Sequence, residues 1–368
     1  MKVTFPHMGT MWVPVKTLLE ELGMDVVIPP PSTKRTLSLG TRFAPEFICM
    51  PLKINLGNFI EAAEKGADTI VMAGGVGPCR FGYYSRLEKE ILDDLGYSME
   101  MIIIEPPEKH FIELVHKLGK LKKCSPLKAL SAVRLGWLKC CVADNIEKKV
   151  EKVRAREKNP GSADTVFNRA LEKLDYVRTR KDVLDVQKEV LEELDSLVSE
   201  TSRQIIRIAV VGEIYTVLEP FVNHNLERHL GRMGAETHRS LYLSSWVNDH
   251  ILNGFFDIEG TEEACKLASP YLNHMVGGHG RETVGSTVLY ARQGFDGVIQ
   301  IAPLTCGPEI VAEAILPEVS QRERIPIMTI YVDEQSGEAG LLTRLEAFVD
   351  MIYRSKQNSK KLTAVKGL

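Results

Sequence analysis

The sequence predicts an α/β protein of two related lobes with mainly parallel sheets, joined through a helical segment, with its site in the cleft between the lobes. Three observations carry that expectation. Strand-like and helix-like segments alternate at both ends of the chain, the pattern of β-α-β units. The apolar run Thr69 to Ala73 reads as a strand covered on both faces, and Asp296 to Ala302 reads as a further strand. GADTIVMAGGVGPC and GFDGVIQIAPLTCGP share an order of Gly-x-Asp, apolar strand, Gly/Pro loop and cysteine, with 13 and 12 residues from the Gly to the cysteine. Cys79 and Cys306 are thereby expected in equivalent loops at strand ends, the edge where open α/β sheets gather ligands.

Taken in order, Lys2 to Phe5 is a first strand, and a helix follows near Pro14 with Val15, Leu18, Leu19 and Leu22 on one face and Gly23 as its stop. Asp25 to Ile28 is a strand ended by three prolines, and Thr33 to Phe43 a short basic helix. Asn58 is the expected N-cap of a helix ending at Lys65. Helical periodicity resumes from Tyr83 to Leu95, and Met99 to Glu105 is another buried strand. From Glu108 to Ser202 the chain turns long, charged and helix-forming. Val183, Val186, Val190, Leu194 and Leu197 there form a stripe for a lobe, a second subunit or a short coiled-coil arm. The second α/β pattern opens with the strand IIRIAVVGE, followed by a helix from Thr216 to Met233. Strands at Asp296 to Ala302 and Ile327 to Val332 and a helix from Leu341 to Tyr353 complete it. The expected units are residues 1–107 and 205–354 as lobes, 108–204 as the helical segment and 355–368 as a flexible basic tail.

Composition narrows the function classes. The 368 residues are 44% hydrophobic and 26% charged, in the ordinary globular range. Formal net charge is −3, which provides no bulk basic field for nucleic acid. No apolar run approaches the roughly 20 residues of a membrane span, and the N-terminus lacks a secretory apolar region. A cytoplasmic protein is expected. Seven cysteines in that setting point to buried thiols, a metal site or redox chemistry rather than a disulfide framework, and no C-x-x-C pair suggests zinc.

Three thiols stand out as metal candidates. Cys49, Cys79 and Cys306 each have a proline within two residues, and the last two adjoin glycine as well. Glycine and proline shape loops that can wrap a compact iron–sulfur core. Their separations of 30 and 227 residues form no local motif, so three unrelated buried thiols remain the competing reading. Cys265 reads as a small core residue, Cys124 begins a polar turn, and neighbours Cys140 and Cys141 diverge on a helix. His279 in GGHGRE is a candidate proton donor or substrate contact, or a histidine bonding a turn backbone. Glu309 either complements a helix dipole or shuttles protons. Lys53, Arg80 and Tyr83 flank the first two thiols as candidate contacts to an anionic substrate, or as packing residues. GGVGPCRFG lacks the GxxxxGK[ST] arrangement, so ATP hydrolysis is expected of another protein.

TKRTLSLGTRFAPEFICMPLKINLGNFIEAAEKGAD, GGVGPCRFGYY, GGHGRETVG, APLTCGPEIVAE and DEQSGEAGLLTRLEAF together resemble the acyl-CoA dehydratase activase-related proteins. These are similar to the group of 2-hydroxyacyl-CoA dehydratase components, benzoyl-CoA reductase subunits and double-cubane cluster proteins. The resemblance implies an anaerobic setting and a [4Fe–4S] cluster held between the lobes by Cys49, Cys79 and Cys306. A double-cubane [8Fe–9S] cluster is the alternative. It further implies the cluster-bearing component of an ATP-coupled low-potential reductase or dehydratase, reducing a small-molecule or acyl-CoA substrate by one electron. A separate ATP-hydrolysing activase would serve it, and the assembly would be a homodimer or a heterodimer with a sister subunit. The alternative function is a non-catalytic electron-transfer or scaffold subunit of a larger iron–sulfur complex.

Overall fold

The computed structural model describes residues 1–75, 77–105, 124–199, 204–252 and 260–366, with side chains as far as 358. It contains two four-stranded sheets, one per lobe. In the first lobe β1 (Lys2–Thr4), β2 (Asp25–Val26), β3 (Thr69–Ala73) and β4 (Glu100–Ile104) lie in the order β2-β1-β3-β4, every pair parallel. The second lobe repeats that order, β6-β5-β7-β8, with β5 (Ile206–Gly212), β6 (Ala235–Arg239), β7 (Gly297–Pro303) and β8 (Ile327–Val332) again all parallel. The chain therefore reverses direction across the sheet between β1 and β3, and again between β5 and β7. A crevice opens at such a reversal, outside the C-terminal ends of the strands.

Helices of the first lobe are α1 (Trp12–Glu21), α2 (Lys34–Phe43), α3 (Met50–Glu64) and α4 (Phe81–Asp94). The expected N-cap at Asn58 is corrected: α3 starts nine residues earlier, with Cys49 as its cap and Pro51 in its first turn. Asn58 is buried in mid-helix, where its Nδ2 donates to the Pro30 carbonyl at 3.1 Å. Helices α2 and α3 approach closely because glycines face backbone. A Cβ on Gly40 would lie 1.6 Å from the Lys53 carbonyl oxygen.

The middle of the chain forms α5 (Pro126–Arg154), α6 (Ser162–Tyr176) and α7 (Arg180–Leu197). Val183, Val186, Val190 and Leu194 are buried among Val142, Ile146, Val150, Val166 and Phe167 of its two neighbours, so the stripe is spent inside this layer. The expected helical character of residues 108–123 lies outside the described residues.

In the second lobe the single helix expected from Thr216 to Met233 is two short ones, α8 (Ile214–Leu218) and α9 (Leu226–Arg232). Pro220 interrupts the backbone, and His224 and Asn225 take left-handed φ of 52° and 55°. Helices α10 (Leu243–His250), α11 (Glu262–Ala268), α12 (Gly280–Arg292) and α13 (Gly307–Glu323) follow. The final helix, α14 (Glu338–Lys366), continues past Tyr353 through much of the expected tail. Met8, Met50 and Ile54 of the first lobe lie in one core with Ile208, Val210, Tyr215 and Leu218 of the second. Among the described residues no helix is long and apolar enough to cross a membrane.

Candidate functional site

The two crevices face each other. Cys79 follows β3 and Cys306 follows β7, the equivalent strand in each lobe. Cys306 caps α13 from extended backbone with Pro308 in the first turn, and Cys49 caps α3 in the same way with Pro51. Cys79 lies one residue before the cap of α4. Each sulfur thus sits at the start of a helix, where free N–H groups and the dipole favour negative charge. The Phe81 and Glu309 amides act on the Cys79 and Cys306 thiols in that sense.

Burial opposes it. Desolvation pushes the Cys79 and Cys306 thiols up, and the carboxyl of Glu213 and the sulfur of Cys49 act on both in the same direction. Tyr84 of α4 is buried in one apolar cluster with Cys49; desolvation first, then Cys49, Glu213 and Cys79, raise it well above the phenol range. The three predicted thiols therefore share one electrostatic neighbourhood with Glu213 and Tyr84. Cys140, Cys141 and Cys265 respond instead to burial and to Asp144, Glu282 and other groups away from the three.

Arg80 ties the thiol loops together. One guanidinium nitrogen donates to the Phe47 carbonyl at 2.9 Å, beside Cys49, and the other to the carbonyl and hydroxyl of Thr305, beside Cys306. Lys53 is buried on α3 and donates to the Glu46 carbonyl at 2.9 Å and to Glu334 Oε1 at 2.8 Å, joining the Cys49 loop to the DEQSG turn after β8. Both cations thus have donors engaged in holding loops across the lobes. Tyr83 is exposed.

The GGHG loop covers the same place. Gly277 and Gly278 have φ of +82° and +47°, a region that favours glycine. A Cβ on Gly277 would stand 2.9 Å from Pro78, and one on Gly278 would stand 3.1 Å from Pro308 and 3.9 Å from the Cys79 sulfur. His279 turns to the ring of His250, 6.0 Å between centroids, and burial lowers its pKa to about 3. It is neutral near pH 7, so an imidazolium donor is not available there. Glu309 is buried behind Cys306, accepting from Thr283 Oγ1 at 3.0 Å and Gln300 Nε2 at 2.9 Å. Burial raises it to about 7.

Sequence reading missed Glu213, Tyr84 and Glu88. Glu213 ends the β5 strand-turn and caps α8, its carboxylate accepting from the Tyr215 and Thr216 amides at 3.0 Å. An acid directly after an apolar strand was the available signal. Tyr84 and Glu88 gave none beyond their shared face of a helix.

Among the described residues, no three His, Cys, Asp or Glu side chains converge to hold a single metal ion. Each thiol belongs to a different helix start, and the Cys49 sulfur acts on both of the others.

Residues 7–73 match the family described as CoA enzyme activase uncharacterised domain (DUF2229). The matched segment runs from the loop after β1 to the last residue of β3, and it contains Cys49 and Lys53 but neither Cys79 nor Cys306. Over those residues it supports an activase-related family. No curated protein matches the chain. The expectation of a cluster-bearing reductase or dehydratase component, or of an electron-transfer or scaffold subunit beside one, is hereby corrected. The activase description falls on residues 7–73 of this chain rather than on a separate protein.

Proposed function

We propose that the chain is an activating component for a CoA enzyme and that the thiol cleft is its working site. The observation that carries this reading is that the activase-like segment supplies Cys49 and Lys53 to that cleft. Large apolar side chains near the three cysteines in sequence, Phe47, Tyr83, Leu304 and Ile310, are exposed, which suits the approach of a partner protein over the cleft.

Cys49, Cys79 and Cys306 are the residues we assign to a [4Fe–4S] cluster. A polynuclear cluster takes its thiolates on separate irons, so its ligands stand further apart than those of a single ion. Three thiols at three helix starts fit that requirement, whereas a double-cubane cluster would need more thiolates than this neighbourhood offers. The cluster would supply one-electron transfer. The protein's part is to hold the loops, through Arg80 and Lys53, and to keep the thiols buried.

Anaerobic purification with iron and sulfide analysis, followed by addition to a reduced 2-hydroxyacyl-CoA dehydratase with and without ATP, tests both statements. Wild type should stimulate dehydration. Cys49→Ser, Cys79→Ser and Cys306→Ser should each lose iron and stimulation, while Cys265→Ser keeps both. No stimulation by iron-loaded wild type would sink the activating role, and equal iron in all four variants would sink the ligand assignment.

A further inference from the structure

The first lobe buries a polar layer between two apolar clusters. On α3, Asn55 falls between Leu52 and Leu56; on α4, Glu88 falls one turn from Tyr84 and one turn from Leu92. Leu52 and Tyr84 share a cluster with Met72 of β3, whereas Leu56 and Leu92 share another with Ile70. Asn55 and Glu88 therefore meet the sheet at the level between those clusters. Thr4 of β1 is in register with Ile70 and points to the same side, because its neighbour Val3 packs with Leu19 and Leu22 on the other. Asn58, one turn beyond Asn55, ties the layer to the loop of Ser32 through its bond to the Pro30 carbonyl. From the second lobe the Tyr215 hydroxyl, which donates to the His7 carbonyl at 2.6 Å, stands beside Ser32 and senses Glu88.

Thr4, Ser32, Asn55, Asn58 and Glu88 are each at most 8% exposed. Yet Thr4 Oγ1, Ser32 Oγ, Asn55 Oδ1, Asn58 Oδ1 and both Glu88 oxygens have no hydrogen-bond partner. Asn55 acts on Glu88 at close range without reaching hydrogen-bond geometry, and no basic side chain acts on it. Burying acceptors in this state is costly, and leucines would fill the layer without that cost. Oxygens gathered about 2.3–2.6 Å from one hard cation are bonded to it and not to each other. That is the state of these six atoms. Their charge also selects the ion: with one carboxylate and otherwise neutral oxygens, a monovalent cation leaves the layer neutral, whereas a divalent one would leave a buried positive charge. Glu88 is the single acid among them, so the layer is not a group of three His, Cys, Asp or Glu.

We propose that Glu88, Asn55, Asn58, Ser32 and Thr4 hold one alkali-metal cation, sodium or potassium, between the first sheet and helices α3 and α4. The ion fastens together the two helices whose starts carry Cys49 and follow Cys79. When the ion is absent the Glu88 carboxyl keeps a proton, since burial lifts its pKa to about 8, and binding displaces that proton. The site lies beyond the activating role proposed above and needs neither the thiols nor a CoA enzyme.

The test uses the full chain at pH 8 in choline chloride, with sodium, rubidium in place of potassium, or calcium added at constant ionic strength. Equilibrium dialysis against radioactive sodium or rubidium should leave one ion per chain in wild type and none in Glu88→Gln. The Tm of wild type should rise by roughly 3 °C with the retained ion, while Glu88→Gln, which removes only the charge, should show the same Tm in every salt. Asn55→Ala should need at least tenfold more ion for the same shift. No retained ion and a wild-type Tm indifferent to the salt would overturn the proposal, leaving water as the filling of the layer. Equal retention by Glu88→Gln would overturn it as well, and calcium retained in preference to both monovalent ions would overturn the charge argument. Dehydratase stimulation enters none of these readouts, so its failure would count against the activating reading alone.

Discussion

Two regions of this molecule bury acids, one with arginines among them and one without. At the junction of α5 with the second lobe, Arg239 is buried among Glu147, Glu151 and Glu227, with Glu227 Oε2 at 2.6 Å and Glu147 Oε1 at 3.0 Å. The contact to Glu147 is close but out of line for a hydrogen bond. Arg154 joins from α5 through Glu227 and Asp164. Burial works against Glu227, yet Arg239 and Arg154 hold it below the usual carboxylate range. Glu151, bonded by the Tyr242 hydroxyl at 2.6 Å, is pushed well above it by burial and by Glu227. Glu88 on the inner face of α4 and Glu309 behind Cys306 are buried with no such cation, and desolvation raises both, as it raises Glu213. Matched charges anchor the helical layer. Acids without a cation, Glu88 and Glu309, hold protons near neutral pH.

The largest effect should come from breaking the matched side. Arg239→Met leaves carboxylates buried without their partner and should cost about 3–5 kcal/mol, read as a lower urea midpoint with unchanged slope. A loss below about 1 kcal/mol would show that the junction does not depend on the guanidinium. Next, Gly40→Ala drives a methyl into the Lys53 carbonyl and should cost about 2–4 kcal/mol, displacing the helix that carries Cys49. Normal stability in that variant would contradict the close approach of α2 and α3.

The unmatched side predicts a pH dependence. Glu88 and Glu309 have folded-state values of about 8 and 7, above their unfolded values near 4.5. The folded state therefore binds their protons more tightly. Stability from this source is full below pH 4.5 and declines as pH rises, until both groups are ionised above pH 8. The difference in Tm between Glu88→Gln/Glu309→Gln and wild type should shift in favour of the variant between pH 5 and 8. A constant difference across that window would remove the argument. Smallest of all, Arg86→Ala breaks only an exposed pair with Glu90 and should leave Tm unchanged.

Strands whose residues are apolar on both sides were legible in the sequence. β3 and β7 announced themselves, and with them the loops of Cys79 and Cys306. β6 did not. Its sequence, AETHR, is polar, and it is a buried edge strand because Arg239 and Glu236 find charges on α5 and at Arg156. A propensity reading has no access to partners some eighty residues away. The broken helix between Ile214 and Arg232 failed differently, since a local bend at Pro220 outweighed a plausible period.

By itself the sequence determined the α/β class and the doubling of the lobes, because periodicity and loop chemistry are local. Only the tertiary structure decided that Cys49 caps the same kind of helix start as Cys306 and that Arg80 and Lys53 join loops across the lobes. It also placed Glu213 and Tyr84 in the electrostatic neighbourhood of the sulfurs. Those outcomes depend on burial and on charges brought together from distant segments, and desolvation acts only once the chain has closed around a group.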